Sequence, residues 1–334
     1  MILPNAPVPV TPVPVTPVPV TPVPVTIVTG FLGSGKTTML NQLLRAPRLA
    51  DTVVIVNEFG EAGLDHLLIE QAIENTVLLK NGCICCTVRG DVADTLETLF
   101  AQRASGAIPD FRRIAIETTG LADPGPVAHA LVAEPGAGYA CVLDGIVTTV
   151  DAMHGADTLP RHEEARRQVS LADRILVTKT DLVPDTAALE AAVARLNPDA
   201  PRRRLAMGAV SADDVFGLGP STRAWLGHHH HHDHLHDNEI GTVLLTHAGP
   251  MRWEALRLWL ESVLSLRGEA VLRLKGLVEM EGEPGPVVLQ GVHHVMHPWS
   301  RLEAWPGDTR TQLVLITQGL DPAGLRASFD AVTA

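Results

Sequence analysis

The sequence predicts an α/β protein, a doubly wound and mostly parallel sheet followed by a second, smaller α+β domain. Three observations predict it. Short apolar runs alternate with helical patterns over the first two thirds of the chain, and a glycine-rich turn joins the first run to the first helix. After a stretch with no apolar period, the alternation then gives way to several strands and two helices. The 334 residues suffice for one large or two ordinary domains, and 46% hydrophobic against 19% charged residues suits a sizeable core.

The strands of the first domain are read in order. They are VTIVTG at 25–30, TVVIVNEF from Thr52, TVLLK from Thr76, RIAIET from Arg113, YACVLDGIVTTVDA from Tyr139, RILVTKTD from Arg174 and RLAMGAVS from Arg204. MLNQLLRA follows the first as a helix, and another helix is expected near Asp91. Ahead of them PVPVT occurs four times between Pro7 and Thr26, and its alternating prolines remove amides and favour extended polyproline II. Residues 1–24 are therefore expected to form a solvated tail. The run Arg202, Arg203, Arg204 reads as a solvated turn.

Residues 217–239 read as a His-rich linker. Beyond it come a strand from Gly241, an amphipathic helix from Met251 to Leu266, strands near 270–295 and 311–317, and a last helix from Pro322. The expected divisions are thus 1–24, 25–216, 217–239 and 240–334.

Charge and hydropathy narrow the partners. With 26 Lys and Arg against 38 Asp and Glu, the formal net charge of -12 argues against a broad grip on nucleic acid. No segment reaches the roughly 18 uninterrupted apolar residues of a membrane span, and MILPNAPVPV lacks a basic leader. A cytoplasmic protein without a membrane partner is expected. In that reducing compartment, clustered cysteines bind metal or do redox work more often than they form disulfides.

The first strand runs straight into GFLGSGKTT at 30–38, which fits G-x-x-x-x-G-K-[ST] between a strand and a helix, the P-loop context. Gly30, Gly33 and Gly35 let backbone amides turn toward phosphates, with Ser34 among them, at a helix N-terminus that favours anions. Lys36 is expected to reach the β and γ phosphates, Thr37 to place its hydroxyl on Mg2+, and Thr38 to make a further phosphate contact. ETTG at 117–120, TKTD at 178–181 and Ser211 with Ala212 follow in the order of a GTPase. Thr178, Lys179 and Asp181 are expected to read the base, with the Asp181 carboxylate accepting two hydrogen bonds that guanine offers and adenine does not. Glu117 and Glu58 are the acidic groups placed by sequence order to hold Mg2+ or to orient the attacking water, and which does which is left open.

With these residues in hand, the chain resembles the CobW family of metal-handling P-loop GTPases, from about Val25 onward. The resemblance rests on GFLGSGKTT, NEFGEAGLDH (57–66), GCICCT (82–87), ETTGLADP (117–124), TKTD, LRLKG (272–276) and QGVHH (290–294). It implies a GTPase that binds a transition metal and delivers it to a metal-requiring client protein, with a nucleotide- or metal-dependent homodimer as one arrangement. Thr178 departs from the commoner Asn of the family. That change is expected to remove a brace between the P-loop and the base and to soften guanine selectivity.

Cys83, Cys85 and Cys86 crowd into four positions of a chain with four cysteines in all. They follow a strand and turn, where a loop can fold three thiolates around one ion, and soft sulfur ligands suit Zn2+ first and Co2+ next. A redox role is the rival, because Cys83 and Cys86 have C-x-x-C spacing. Glu58, Glu61 or His66 are candidates for a fourth ligand. The tract HHHHHDHLHD reads as a loose metal collector, and His293, His294 and His297 read as an exposed strand edge rather than a further metal or client surface. Three functions are weighed on these grounds: a GTP-dependent metallochaperone for Zn2+, or for Co2+ in cobalamin synthesis; a metal buffer with a regulatory nucleotide site; and a small-molecule phosphotransferase.

Overall fold

The computed structural model describes residues 22–44, 51–56, 78–80, 89–133, 141–207, 209–218, 240–296, 299–305 and 309–333. The N-terminal part contributes β1 (Val23–Gly30), α1 (Lys36–Leu44), β2 (Thr52–Val56), β3 (Leu78–Lys80), α2 (Arg89–Ala104), β4 (Arg113–Glu117) and α3 (Gly125–Ala133). There follow β5 (Cys141–Asp151), α4 (Gly155–Arg161), α5 (Glu163–Leu171), β6 (Arg174–Thr178), α6 (Ala187–Leu196), β7 (Arg202–Arg204) and the short α7 (Ala212–Val215).

The strands form one sheet in the order β3-β2-β4-β1-β5-β6-β7, and every pair in it is parallel. Period-two alternation splits each central strand between two cores. Val25 and Ile27 of β1, Val53 and Ile55 of β2, and Ile114 and Ile116 of β4 enter one cluster with Leu96, Leu99 and Phe111. Val28, Val54 and Ala115 point the other way, against Met39, Leu40 and Leu43 of α1. Helices on both faces follow from strands that are apolar on both faces.

Two boundaries differ from the sequence reading, and each has a physical reason. Val23 and Pro24 belong to β1 rather than to the tail, with Pro24 opposite Val142 of β5. Pairing with β4 starts only at Val25, opposite Ile114, so no ladder bond to that neighbour is asked of Pro24. The three arginines 202–204 are not a turn but β7, the outermost strand, and the strand ends where the sequence reading began it. A charged, exposed strand is a common way to blunt a sheet edge.

The C-terminal part comprises β8 (Ile240–His247), α8 (Trp253–Arg267), β9 (Val271–Val278), β10 (Val287–Val292), β11 (Val295–Met296), β12 (Ser300–Arg301), β13 (Thr311–Gln318) and α9 (Pro322–Thr333). Its sheet runs β11-β10-β9-β13-β8, antiparallel throughout, with β12 paired to β10. Leu256, Trp259 and Leu260 of α8 and Phe329 of α9 cover the buried residues Leu245, Leu274 and Leu313. Trp259 meets Phe329 edge to face with ring centroids 5.1 Å apart.

This smaller domain is joined to the parallel sheet by a charge cluster. Asp173, just before β6, pairs with Arg273 and, at 3.0 Å, with Lys275, while the Arg273 guanidinium also donates to the Leu171 carbonyl at 2.6 Å. The two cations of LRLKG are thus interdomain anchors. Burial alone would raise the Asp173 pKa, but Arg273 and Lys275 outweigh it and hold the carboxyl below the usual range. Leu272, Val292 and Ile316 extend the first apolar cluster across the same junction. Among the described residues no helix is long and apolar enough to cross a membrane.

Candidate nucleotide site

The turn between β1 and α1 is shaped by its backbone. Gly30 has φ of 144°, and a Cβ there would overlap the Thr149 side chain and carbonyl and the Ser34 hydroxyl. Ser34 and Thr149 share a hydrogen bond of 2.6 Å, which ties the turn to the C-terminal end of β5. Lys36 is buried, and its ammonium donates to the Gly30 carbonyl at 2.8 Å and to the Phe31 carbonyl at 3.4 Å, so the chain closes a ring around its own amine. Thr38 is exposed on the first turn of α1.

Parallel order brings the ends of β1 and β4 side by side. Thr118 N–H donates to the Val28 carbonyl at 2.9 Å, and the Thr37 hydroxyl donates to Glu117 Oε1 at 2.8 Å across a sequence separation of 80. Glu117 is 4% exposed. A hydroxyl and a carboxylate so placed form a hard-oxygen pair suited to Mg2+.

The end of β6 brings the third motif to the same turn. Thr178 Oγ1 donates to the Ser34 carbonyl at 2.8 Å and reaches the Val150 carbonyl at 3.3 Å. The expected loss of a P-loop brace at this position is therefore corrected: the shorter side chain makes the contact. Gly35 faces it, and a Cβ there would meet the Thr178 side chain only at an ordinary 3.7 to 3.8 Å, so glycine is required there by its φ of 90° rather than by space. Lys179, at φ of 57°, donates to the Gly33 carbonyl at 2.9 Å and pairs with Asp151 at 2.7 Å. Asp181 is exposed and accepts the Met207 amide at 2.8 Å, while Ser211 caps α7 in a reciprocal capping box with Asp214. Ala212 opens that helix.

The structure thus brings Gly30, Gly33, Ser34, Gly35, Lys36, Thr37, Glu117, Thr178 and Lys179 to one edge of the sheet, at the carboxyl ends of its strands. Sequence reasoning missed Thr149 and Asp151, which hold Ser34 and Lys179. TTVD at the end of a buried strand carries a faint signal for both, since polar residues two apart there share a face. Glu58, Glu61, His66, Cys83, Cys85, Cys86, the histidine tract and His297 lie outside the described residues. Among the described residues no group of three or more His, Cys, Asp or Glu side chains is placed to hold a metal ion. His293 departs from the expected exposed edge. It occupies the turn after β10 at φ of 51°, half-buried against Gly125, and burial lowers its pKa.

Comparison with known proteins decides the family. Residues 24–203 match the model of the CobW/HypB/UreG nucleotide-binding domain, and residues 240–333 match that of the cobalamin synthesis protein cobW C-terminal domain. The chain belongs to the CobW family. As a CobW-family member it is 32% identical over 314 residues to the zinc chaperone YjiA of Escherichia coli K12, covering 91% of this chain and 96% of that one. It is 31% identical over 348 residues to the zinc chaperone CobW of a Sinorhizobium species, covering 92% and 96%. The crystal structure of Zn(II)-bound YjiA GTPase from E. coli superposes with a TM-score of 0.72 at 27% identity, over 94% of this chain and all of that one.

Proposed function

We propose that this chain is a GTP-hydrolysing metallochaperone that carries Zn2+, with Co2+ as the next candidate, and delivers it to a metal-requiring client protein. The observation that carries the nucleotide half is the Thr37 to Glu117 hydrogen bond, which joins the phosphate turn and the ETTG element into one oxygen-lined site. In this reading Lys36 leaves the Gly30 and Phe31 carbonyls for the β and γ phosphates, and Gly33, Ser34 and Gly35 present amides to them. Thr37 and Glu117 would hold Mg2+, which supplies charge neutralisation at the transferred phosphate. Glu117 or Glu58 orients the attacking water, Asp181 reads guanine beside Ser211 and Ala212, and Thr178 and Lys179 brace the base side of the turn.

The metal half rests on the chemistry of Cys83, Cys85 and Cys86 and draws support from relatives named as zinc chaperones. Residues 25–216 are assigned to the GTPase domain, 217–239 to a linker that collects metal loosely, and 240–334 to the C-terminal domain. The cytoplasmic location and a nucleotide- or metal-dependent homodimer complete the reading.

The test is turnover and metal content of anaerobically purified protein. Mg2+-dependent GTP hydrolysis that responds to Zn2+, and that Lys36→Ala removes together with tight nucleotide binding, is expected. Unchanged GTP affinity in Lys36→Ala would sink the nucleotide assignment. Turnover indifferent to metal would favour the metal buffer with a regulatory nucleotide site.

A further inference from the structure

The loop after Glu117 is gripped by two adjacent residues of α5. The Gln168 amide donates to the carbonyls of Gly120 at 3.1 Å and Ala122 at 3.0 Å. Its neighbour Arg167 pairs with Asp123 at 3.2 Å, and Asp123 in turn accepts the Gly125 amide at 2.8 Å at the start of α3. The second amino group of Arg167 donates to Gln318 Oε1 of β13 at 3.0 Å, and Gln318 donates to Glu163, one turn earlier on α5, at 3.0 Å. One guanidinium therefore holds the loop and the C-terminal sheet together.

Both ends of this stretch are tightly packed. A Cβ at Gly120 would stand 2.7 Å from the Leu32 backbone nitrogen in the phosphate turn, and a Cβ at Gly125 would overlap the His293 ring of the C-terminal domain. The loop thus spans the distance from the nucleotide site to the second domain with little room to move at either end. Gln168 is fully buried, and its acceptor oxygen meets no donor among the described residues.

We propose that Arg167 and Gln168 are positioning residues for the 117–123 loop, and that Gln318 lets the C-terminal domain set the loop's arrangement and hence the rate of hydrolysis. The proposal rests on the GTPase reading above and names a regulator within that same site. Rotation of the loop toward a γ-phosphate strains the Asp123 to Arg167 pair, and through Arg167 the strain reaches Gln318. By reciprocity, a partner that grips the C-terminal sheet shifts the loop.

Two measurements on the full chain test it. Steady-state kinetics of Gln318→Ala should show nucleotide affinity within about twofold of the parent and turnover changed by about fivefold or more, which is roughly 1 kcal/mol in the barrier. The Arg167→Ala/Gln318→Ala pair should lose clearly less than the sum of the two single variants, because both remove the same Arg167 to Gln318 contact. Arg167→Lys, which keeps the charge but loses the fork, should recover only the Asp123 contact and not the Gln318 effect. Hydrogen exchange of residues 315–320 should differ between GDP and a non-hydrolysable GTP analogue in the parent chain and become equal in Arg167→Ala. Equal exchange in the parent, or unchanged turnover in Gln318→Ala, overturns the proposal. Loss of binding in Lys36→Ala alongside an inert Gln318→Ala would leave the GTPase reading standing and remove only this one.

Discussion

Thr178 Oγ1 donates to the carbonyl of Ser34 at 2.8 Å, so a residue at the end of β6 holds the phosphate turn after β1 from a sequence separation of 144. Removing the hydroxyl while keeping the shape isolates this bond. Thr178→Val should weaken GTP and GDP binding alike by about two- to twelvefold, the worth of one hydrogen bond of roughly 0.5–1.5 kcal/mol. Thr178→Asn should bind as tightly as the parent. Competition binding with labelled GDP reads both, and equal affinity of the Val variant would show that the turn does not need this brace.

Asp181 offers a second prediction, about the base. Its Oδ1 accepts the Met207 amide, so in Asp181→Asn the carbonyl oxygen keeps that bond and the amide hydrogens face the nucleotide. The variant should move preference from GTP toward xanthosine triphosphate, whose carbonyl takes the place of the guanine amine. Retained GTP preference in competition binding counts against TKTD as the reader.

The domain junction should be sensitive to acid. Asp173 has a folded-state pKa below its unfolded value, because Arg273 and Lys275 outweigh the effect of burial. Its contribution is therefore complete above the ordinary carboxylate pKa of about 4 and is lost as pH falls through the depressed folded value. Asp173→Asn should cost about 3–5 kcal/mol at neutral pH, since it leaves two cations buried without their partner, and it should flatten the acid limb of the unfolding curve. Denaturant melts at pH 7 and pH 3 check it. A variant with the parent's acid limb would place the acid-sensitive group elsewhere.

Cysteine reactivity separates the proposed metal ligands from the remaining thiol. Cys141, at the start of β5, has its pKa pushed up to about 12 by burial, so near pH 7.5 it is a thiol and a poor nucleophile. Alkylation of metal-free protein, followed by mass spectrometry, should label Cys83, Cys85 and Cys86 and leave Cys141 intact, and Zn2+ should protect the three. Labelling unaffected by Zn2+ would move the metal site off GCICCT.

Much of this protein is contiguous in sequence and was legible there. The alternation of apolar runs and helices gives the parallel sheet, and GFLGSGKTT between a strand and a helix marks the phosphate turn, because period and turn chemistry are local properties. The two boundaries that differ depend on neighbours distant in sequence. Pro24 reads as part of the tail unless one knows that it pairs with β5 and that pairing with β4 begins only at Val25, and three arginines read as a turn unless one knows that they lie at a sheet edge.

By itself, the sequence determined which segments are strands and helices and which residue types could meet a nucleotide or a soft metal. Only the tertiary structure decided who touches whom. Glu117 becomes the partner of Thr37 because β4 lies next to β1, and Arg273 and Lys275 become anchors because β9 faces Asp173. Gln168 and Arg167 sit in an ordinary amphipathic helix, and their role appears only when α5 is laid against the loop and β13. The reason is physical. A side chain's period along its own element records which face is apolar, whereas its partner is fixed by strand order and by reach across space, which no local pattern encodes.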